Sequence, residues 1–124
     1  MPTYCRTTRY GAELISEPRS ELLQGTLDLL ILHALEAGAL HGWAISKRIQ
    51  QMSRDALTVN QGSLYPALYR LEDRGWIVGH EGLSPEGRRI KRYSLRPAGR
   101  KQLLREVDAW KSFSSAINHV LGTA

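Results

Sequence analysis

The order of the hydrophobic patterns constrains the fold more than any other feature of the chain. Three stretches with helical spacing come first, then two strand-like runs around a basic, turn-rich loop, then one long helical stripe. In "LLQGTLDLLILHALEAG", Leu27, Leu30, Ile31, Ala34 and Leu35 follow an i, i+3, i+4, i+7, i+8 template. Thr26 is the expected N-cap and Gly38 the expected stop. Leu22, Leu29 and Leu32 fall off this stripe, which predicts a helix buried on two sides, the second against a partner subunit. In "HGWAISKRIQQMS", Ile45, Ile49 and Met52 form the expected core stripe of a second helix. Lys47, Arg48 and Gln51 lie off that stripe, and Trp43 is expected to pack in the core. "ALTV", from Ala56 to Val59, reads as short and β-prone.

The third helix, in "NQGSLYPALYRLEDRGWI", ends before Gly75. Its stripe is Leu64, Ala67, Leu68 and Leu71. "WIVGH" from Trp76 and "IKRYSL" ending at Leu95 read as a hairpin around "EGLSPEGRR". Pro97 then opens the last helix, a first-turn position that proline tolerates. Along it Leu103, Val107, Trp110, Phe113, Ile117, Val120 and Leu121 approach heptad spacing and predict a dimer seam. Met1 to Ser20 shows no sustained period and predicts a mobile arm. Within it, Ala12 to Ser16 allow a short helix, and Arg6 and Arg9 offer charge to a phosphate backbone.

Three helices followed by a hairpin is the layout of a winged helix-turn-helix, whose third helix enters the major groove. The expected class is mainly α with a small β-hairpin: an arm over 1–20, the winged domain over 21–96 and a dimerisation helix over 97–124. Two residues of the third helix bear on function. Gly62 and Pro66 weaken helix interiors, yet they stand four residues apart on the side opposite the leucine stripe. Glycine there permits close approach of another molecule and relieves crowding by the proline ring. The alternative is a later helix start, with Ser63 as cap and Pro66 in the first turn. The outward set is Gly62, Ser63, Pro66, Tyr69 and Arg70, with Arg70 the expected guanine contact, unless it meets a phosphate or pairs with Asp73; Tyr65, nearer the core edge, either joins Tyr69 in donating to phosphates or packs. Gly42 and Lys47 of the second helix are expected to flank the phosphates, as a helix N-terminus can, the alternative at Gly42 being a plain turn; Trp43, where it is not core, would flank DNA.

Charge agrees with an anionic partner. The 124 residues carry 17 Lys plus Arg against 12 Asp plus Glu, a formal charge of +5, and the pI is near 9.7. Arg88, Arg89, Lys91 and Arg92 cluster on the hairpin without an intervening acid, which suits phosphate contact. A cationic strand edge that blocks aggregation is the other reading of the same run. Cys5 is the lone cysteine and makes no internal disulfide, which fits a reducing, cytoplasmic setting. No apolar run spans a membrane and no signal peptide is evident. His33, His41, His80 and His119 lack metal-ligand spacing, and no P-loop, GxSxG or dinucleotide fingerprint is present. Neither an enzyme nor a cofactor or metal is therefore expected.

"GTLDLLIL", "LHGWAI", "GSLYPALYRLEDRGWI", "RRIKRYSL" and "PAGR" together resemble the PadR-like family of transcriptional regulators, named for the phenolic-acid decarboxylase repressor. The likeness runs in register from Leu22 to about Leu104, and the last helix is similar to that of the short members. It implies a winged-helix homodimer that binds operator DNA, usually as a repressor. Trp43, Arg92 and Arg96 depart from the usual pattern, and Arg96 leaves Pro97 without a good side-chain cap, a cost of ~1 kcal/mol. Trp110 lies mid-way along the last helix, so two copies would form either an interface slot for a small aromatic effector or simple seam packing. A winged helix that binds another protein is the alternative function.

Overall fold

The structure is a computed structural model that describes the backbone of residues 17–123 and the side chains of residues 25–123. Seven elements follow in order: α1 (Glu17–Ala34), β1 (Leu40–His41), α2 (Gly42–Met52), α3 (Gln61–Asp73), β2 (Ile77–Leu83), β3 (Arg89–Leu95) and α4 (Pro97–Leu121). The strands form one antiparallel sheet in the order β1-β3-β2. Ile77 pairs with Leu95 at the root of the hairpin and Leu83 with Arg89 near its tip, so β2 and β3 form the wing.

The core is built by the predicted helical stripes. Ile31 and Leu35 of α1, Ile45 and Ile49 of α2, and Leu64, Leu68 and Leu71 of α3 are buried together with Ile77, Tyr93 and Leu103. Gly75, at φ +78°, ends α3 as expected. The N–H of Trp76 donates to the Leu71 carbonyl at 3.1 Å and that of Gly75 to the Glu72 carbonyl at 3.0 Å. This pair of bonds satisfies the last carbonyls of α3 and turns the chain directly into β2.

Several expectations are corrected. α1 begins at Glu17, not at Thr26, so residues 17–20 are helical rather than part of an arm. Pro18 sits in the first turn, where its missing N–H costs nothing. Residues 1–16, with Cys5, Arg6, Arg9 and the short helix at Ala12 to Ser16, lie outside the described residues. "ALTV" forms no strand, and the short strand of the sheet is Leu40–His41. Met52 is exposed at the last residue of α2, beyond the turn that Ile49 anchors in the core. Trp43 is exposed too, since two residues carry it about 200° around the helix from Ile45. Leu32 and Leu103, expected at a dimer interface, are buried inside the single chain. α1 packs against α2, α3 and α4 of its own chain, which covers Leu32 without a partner.

α4 starts as anticipated with Arg96 in the N-cap position and no side-chain capping bond. Its first turn is held close instead. A Cβ at Gly99 would overlap the Trp76 carbonyl oxygen, the same oxygen that accepts from the Arg96 N–H at 2.9 Å. Gly99→Val should therefore push α4 off the α3–β2 junction. Overpacking of this kind costs ~1–3 kcal/mol, read as a lowered midpoint in denaturant unfolding. An unchanged midpoint would mean that this contact yields freely.

Candidate nucleic-acid interface

α3 is shaped at its start by Asn60. The Ser63 N–H donates to Asn60 Oδ1 at 2.8 Å, so Asn60 is the cap and the helix begins at Gln61. The later start capped by Ser63 does not occur. Pro66 therefore stands inside α3, where it cannot donate to the Gly62 carbonyl. Gly62, Ser63 and Pro66 are all exposed. A Cβ on Gly62 would meet only Asn60 Oδ1, at 3.3 Å. Apart from the Pro66 ring, whose i−4 partner is Gly62, packing inside the chain gives no reason for a glycine there. Tyr69 is 73% exposed on the same side. Near its N-terminus α3 thus exposes small side chains, and Gly62, Ser63 and Pro66 line a groove shared with Thr26, Leu27 and Leu30 of α1.

Tyr65 bends back over α2. Its hydroxyl and ring occupy the space a Cβ on Gly42 would need, and Gly42 is buried. Gly42 thus makes room for Tyr65 and offers no side to a ligand, contrary to expectation. α2 itself is capped by His41, whose Nδ1 accepts from the Ala44 N–H at 3.2 Å. Beside it, the half-buried Lys47 places Nζ 5.4 Å from the centre of the Trp43 ring, and the His41 and Trp43 rings stack with centroids 6.3 Å apart. Trp43, exposed with a cation against it, is a feature of this surface that the sequence reading placed in the core.

Arg70 is not free. Its Nη2 donates to Asp28 Oδ1 of α1 at 2.9 Å, rather than to Asp73. Asp28 is buried, and that burial raises its carboxyl above the ordinary 3.8, against the opposing pull of Arg70. The folded chain therefore holds this proton more tightly than the unfolded chain. The stability cost of ionising Asp28 is absent below about 3.8 and grows as pH rises through the folded value. Arg70→Gln removes the opposing charge and should raise the Asp28 value further. NMR titration of the carboxyl carbon reads this directly, and an unshifted value would mean that Arg70 does not sense Asp28.

The wing is tied to α3 by a residue no motif pointed to. Glu72 accepts from the Gly79 N–H of β2 at 3.2 Å through Oε2 and from Lys91 Nζ of β3 at 3.2 Å through Oε1. Lys91 thus belongs to the wing's root: it lies 5.5 Å from the Tyr93 ring centre, and its bond to Glu72 raises its pKa. Arg88, Arg89 and Arg92 remain exposed. At the tip, the Ser84 N–H donates to the Arg88 carbonyl at 2.8 Å, and the Arg88 N–H donates to Ser84 Oγ at 3.1 Å. Gly87 takes φ +84° to close this turn. These bonds fix the backbone at the tip, where Arg88 and Arg89 are exposed.

The expected seam divides in two. Leu103 is core, Val107 packs against the core, and Leu29 is half-buried beside it. Trp110, Phe113, Ile117, Val120 and Leu121 are exposed along α4. The side chain of Leu22 lies outside the described residues.

A family model described as "Transcriptional regulator PadR-like family" matches residues 31–105. The chain belongs to the PadR-like family of transcriptional regulators. This PadR-like chain is 34% identical over 97 residues to the transcriptional regulator Rv3488 of Mycobacterium tuberculosis, covering 78% of the chain and 87% of the relative. A protein in transposon TN4556 of Streptomyces fradiae is 39% identical over 89 residues; the match covers 72% of this chain but only 24% of that protein. Among solved structures, a transcriptional regulator from Clostridium thermocellum superposes with a TM-score of 0.73 at 28% identity, covering 80% of this chain and 96% of the other. A PadR-like transcriptional regulator from Bacillus cereus gives 0.68 at 27% identity, with 82% and 96% covered. The PadR-like region holds α2, α3 and the wing whole, so the elements assembled above are those the family shares. Among the described residues no cluster of three or more His, Cys, Asp or Glu side chains is placed to hold a metal ion. No helix there is long and apolar enough to cross a membrane.

Proposed function

We propose that this PadR-like regulator is a cytoplasmic homodimer that binds operator DNA sequence-specifically, with α3 in the major groove and the wing along the phosphate backbone. The observation that carries the reading is the open face at the start of α3, where Gly62 is exposed and, apart from the Pro66 ring, nothing in the chain's own packing accounts for it. The exposed wing arginines Arg88, Arg89 and Arg92 supply the cations for the backbone, and Glu72 fixes the angle between wing and helix. Repression is the outcome that the family resemblance implies. Trp110 and Phe113 stand 6.2 Å apart, tilted and exposed, on the face assigned to the seam, which supports an aromatic effector slot there.

Arg88→Ala combined with Arg89→Ala tests the wing. Binding to all DNA sequences should weaken by similar factors, and the salt slope should flatten by about 0.9 per lost phosphate contact. Loss of preference at a single base position would instead make these side chains base readers. A protein-binding module, the alternative function, predicts no salt-dependent binding to mixed-sequence DNA in the first place.

A further inference from the structure

Among the residues of α3, Arg70 alone carries positive charge, whereas Glu72 and Asp73 are acids. Arg70 is held across the fold: its partner Asp28 is 42 residues away on α1, at 2.9 Å. Asp28 is only 9% exposed, and it is one of two buried polar or charged residues among those described. A buried carboxylate stripped of its guanidinium is costly, because its desolvation is then no longer offset by that bond. The bond is charge-assisted and draws one guanidinium nitrogen toward α1, while the Arg70 side chain stays 30% exposed. Arg70 lies in the C-terminal half of α3, at the α1 side of the same groove that Gly62, Ser63 and Pro66 line.

We propose that Asp28 withholds Arg70 from DNA, so that α3 reads its site with the neutral hydroxyl and amide groups of Gln61, Ser63 and Tyr69 and without a guanidinium. The inference rests on α3 being the DNA-reading helix. Its physical basis is a division of labour. Phosphate attraction comes from the wing, whose arginines are exposed, and the reading helix adds no sequence-independent affinity. A side-chain amide can bond adenine through N6 and N7, and hydroxyls bond either class of base. Asp28 is then a positioning residue: it never touches DNA, yet it decides which groups do. Cation-dominated recognition would give the opposite arrangement, with the guanidinium fork turned outward and the acid absent.

The test compares the wild type with Asp28→Asn, Arg70→Gln and the double variant, all as full chains, on selected and mixed-sequence DNA across a salt series. Circular dichroism checks that each is folded. Arg70→Gln should leave both the salt slope and the base preference as in the wild type. Asp28→Asn keeps the shape of the side chain but frees Arg70. It should tighten binding to mixed-sequence DNA and steepen the salt slope by about 0.9, the value of one added phosphate contact. The double variant should return to the wild-type slope, which a purely structural role for the pair would not produce. If Arg70→Gln loses preference at one base position or flattens the slope, Arg70 already contacts DNA and the proposal is overturned. If Asp28→Asn leaves affinity and slope unchanged, Asp28 withholds nothing, and it is overturned equally. Should Arg70→Gln fail to fold, the double variant carries the comparison, because it leaves no buried unpaired charge. A wild type with no salt-dependent DNA binding overturns the DNA reading itself, a result distinct from both.

Discussion

Phe113→Asp together with Ile117→Asp is expected to give a folded monomer. In the single chain Phe113 is 48% exposed and Ile117 39%, and Trp110, Val120 and Leu121 flank them along the same helix. Monomeric proteins rarely leave so continuous an apolar strip in water. Each square ångström of apolar surface hidden in a dimer contributes about 25 cal/mol, so two buried carboxylates in the seam remove several side chains' worth of association energy. Neither position contributes to the core formed by Ile31, Leu35, Leu64, Leu68 and Leu103, so the fold should survive the exchange. Sedimentation should show one chain per particle with the helical circular dichroism signal retained. A stable dimer of the double variant would place the seam elsewhere.

Gly62→Val is expected to abolish tight DNA binding in a chain that remains folded and dimeric. The only near neighbour of the added Cβ is the end of the Asn60 side chain, at 3.3 Å, and a flexible side chain yields a few tenths of an ångström readily. The fold therefore tolerates the new group, whereas a groove pressed against that face does not. Backbone displacement there removes several contacts at once, each worth ~1–3 kcal/mol, so an affinity loss of about a hundredfold or more is anticipated. Wild-type affinity in the folded variant would show that this face of α3 does not touch DNA.

What the residues disclosed in advance follows their periods. The stripe of α3, the turn-rich loop between the two strand runs and the long stripe of α4 are local signals, and Gly75, at positive φ, marks the end of α3. Features made by distant pairings were illegible. β1 is two residues long, so it has no period, and it is a strand only because Leu40 and His41 pair with Tyr93 and Arg92. "ALTV" has the propensity of a strand but no neighbouring strand to pair with. Leu32 carried the pattern of a second buried face and Leu103 that of a heptad seam, and neither pattern says whether the cover comes from the same chain. For the candidate site, the outward placement of Gly62, Pro66 and Tyr69 could be read from a helical wheel. The partners of Arg70 and Lys91 could not. Asp28 and Glu72 lie 42 and 19 residues from the cations they hold, and no motif links them.

Selection of bound sites from random duplex DNA by the full chain, followed by binding measurements on the winning sequence across salt, tests DNA recognition by a homodimer most directly. A two-fold symmetric sequence should be enriched, with half-sites about one helical turn (~34–36 Å) apart or a multiple of it. Its affinity should fall linearly with log salt, and it should exceed that for mixed-sequence DNA by about a thousandfold or more. A pool without an enriched motif, bound with no dependence on salt, would contradict recognition of DNA by α3 and the wing.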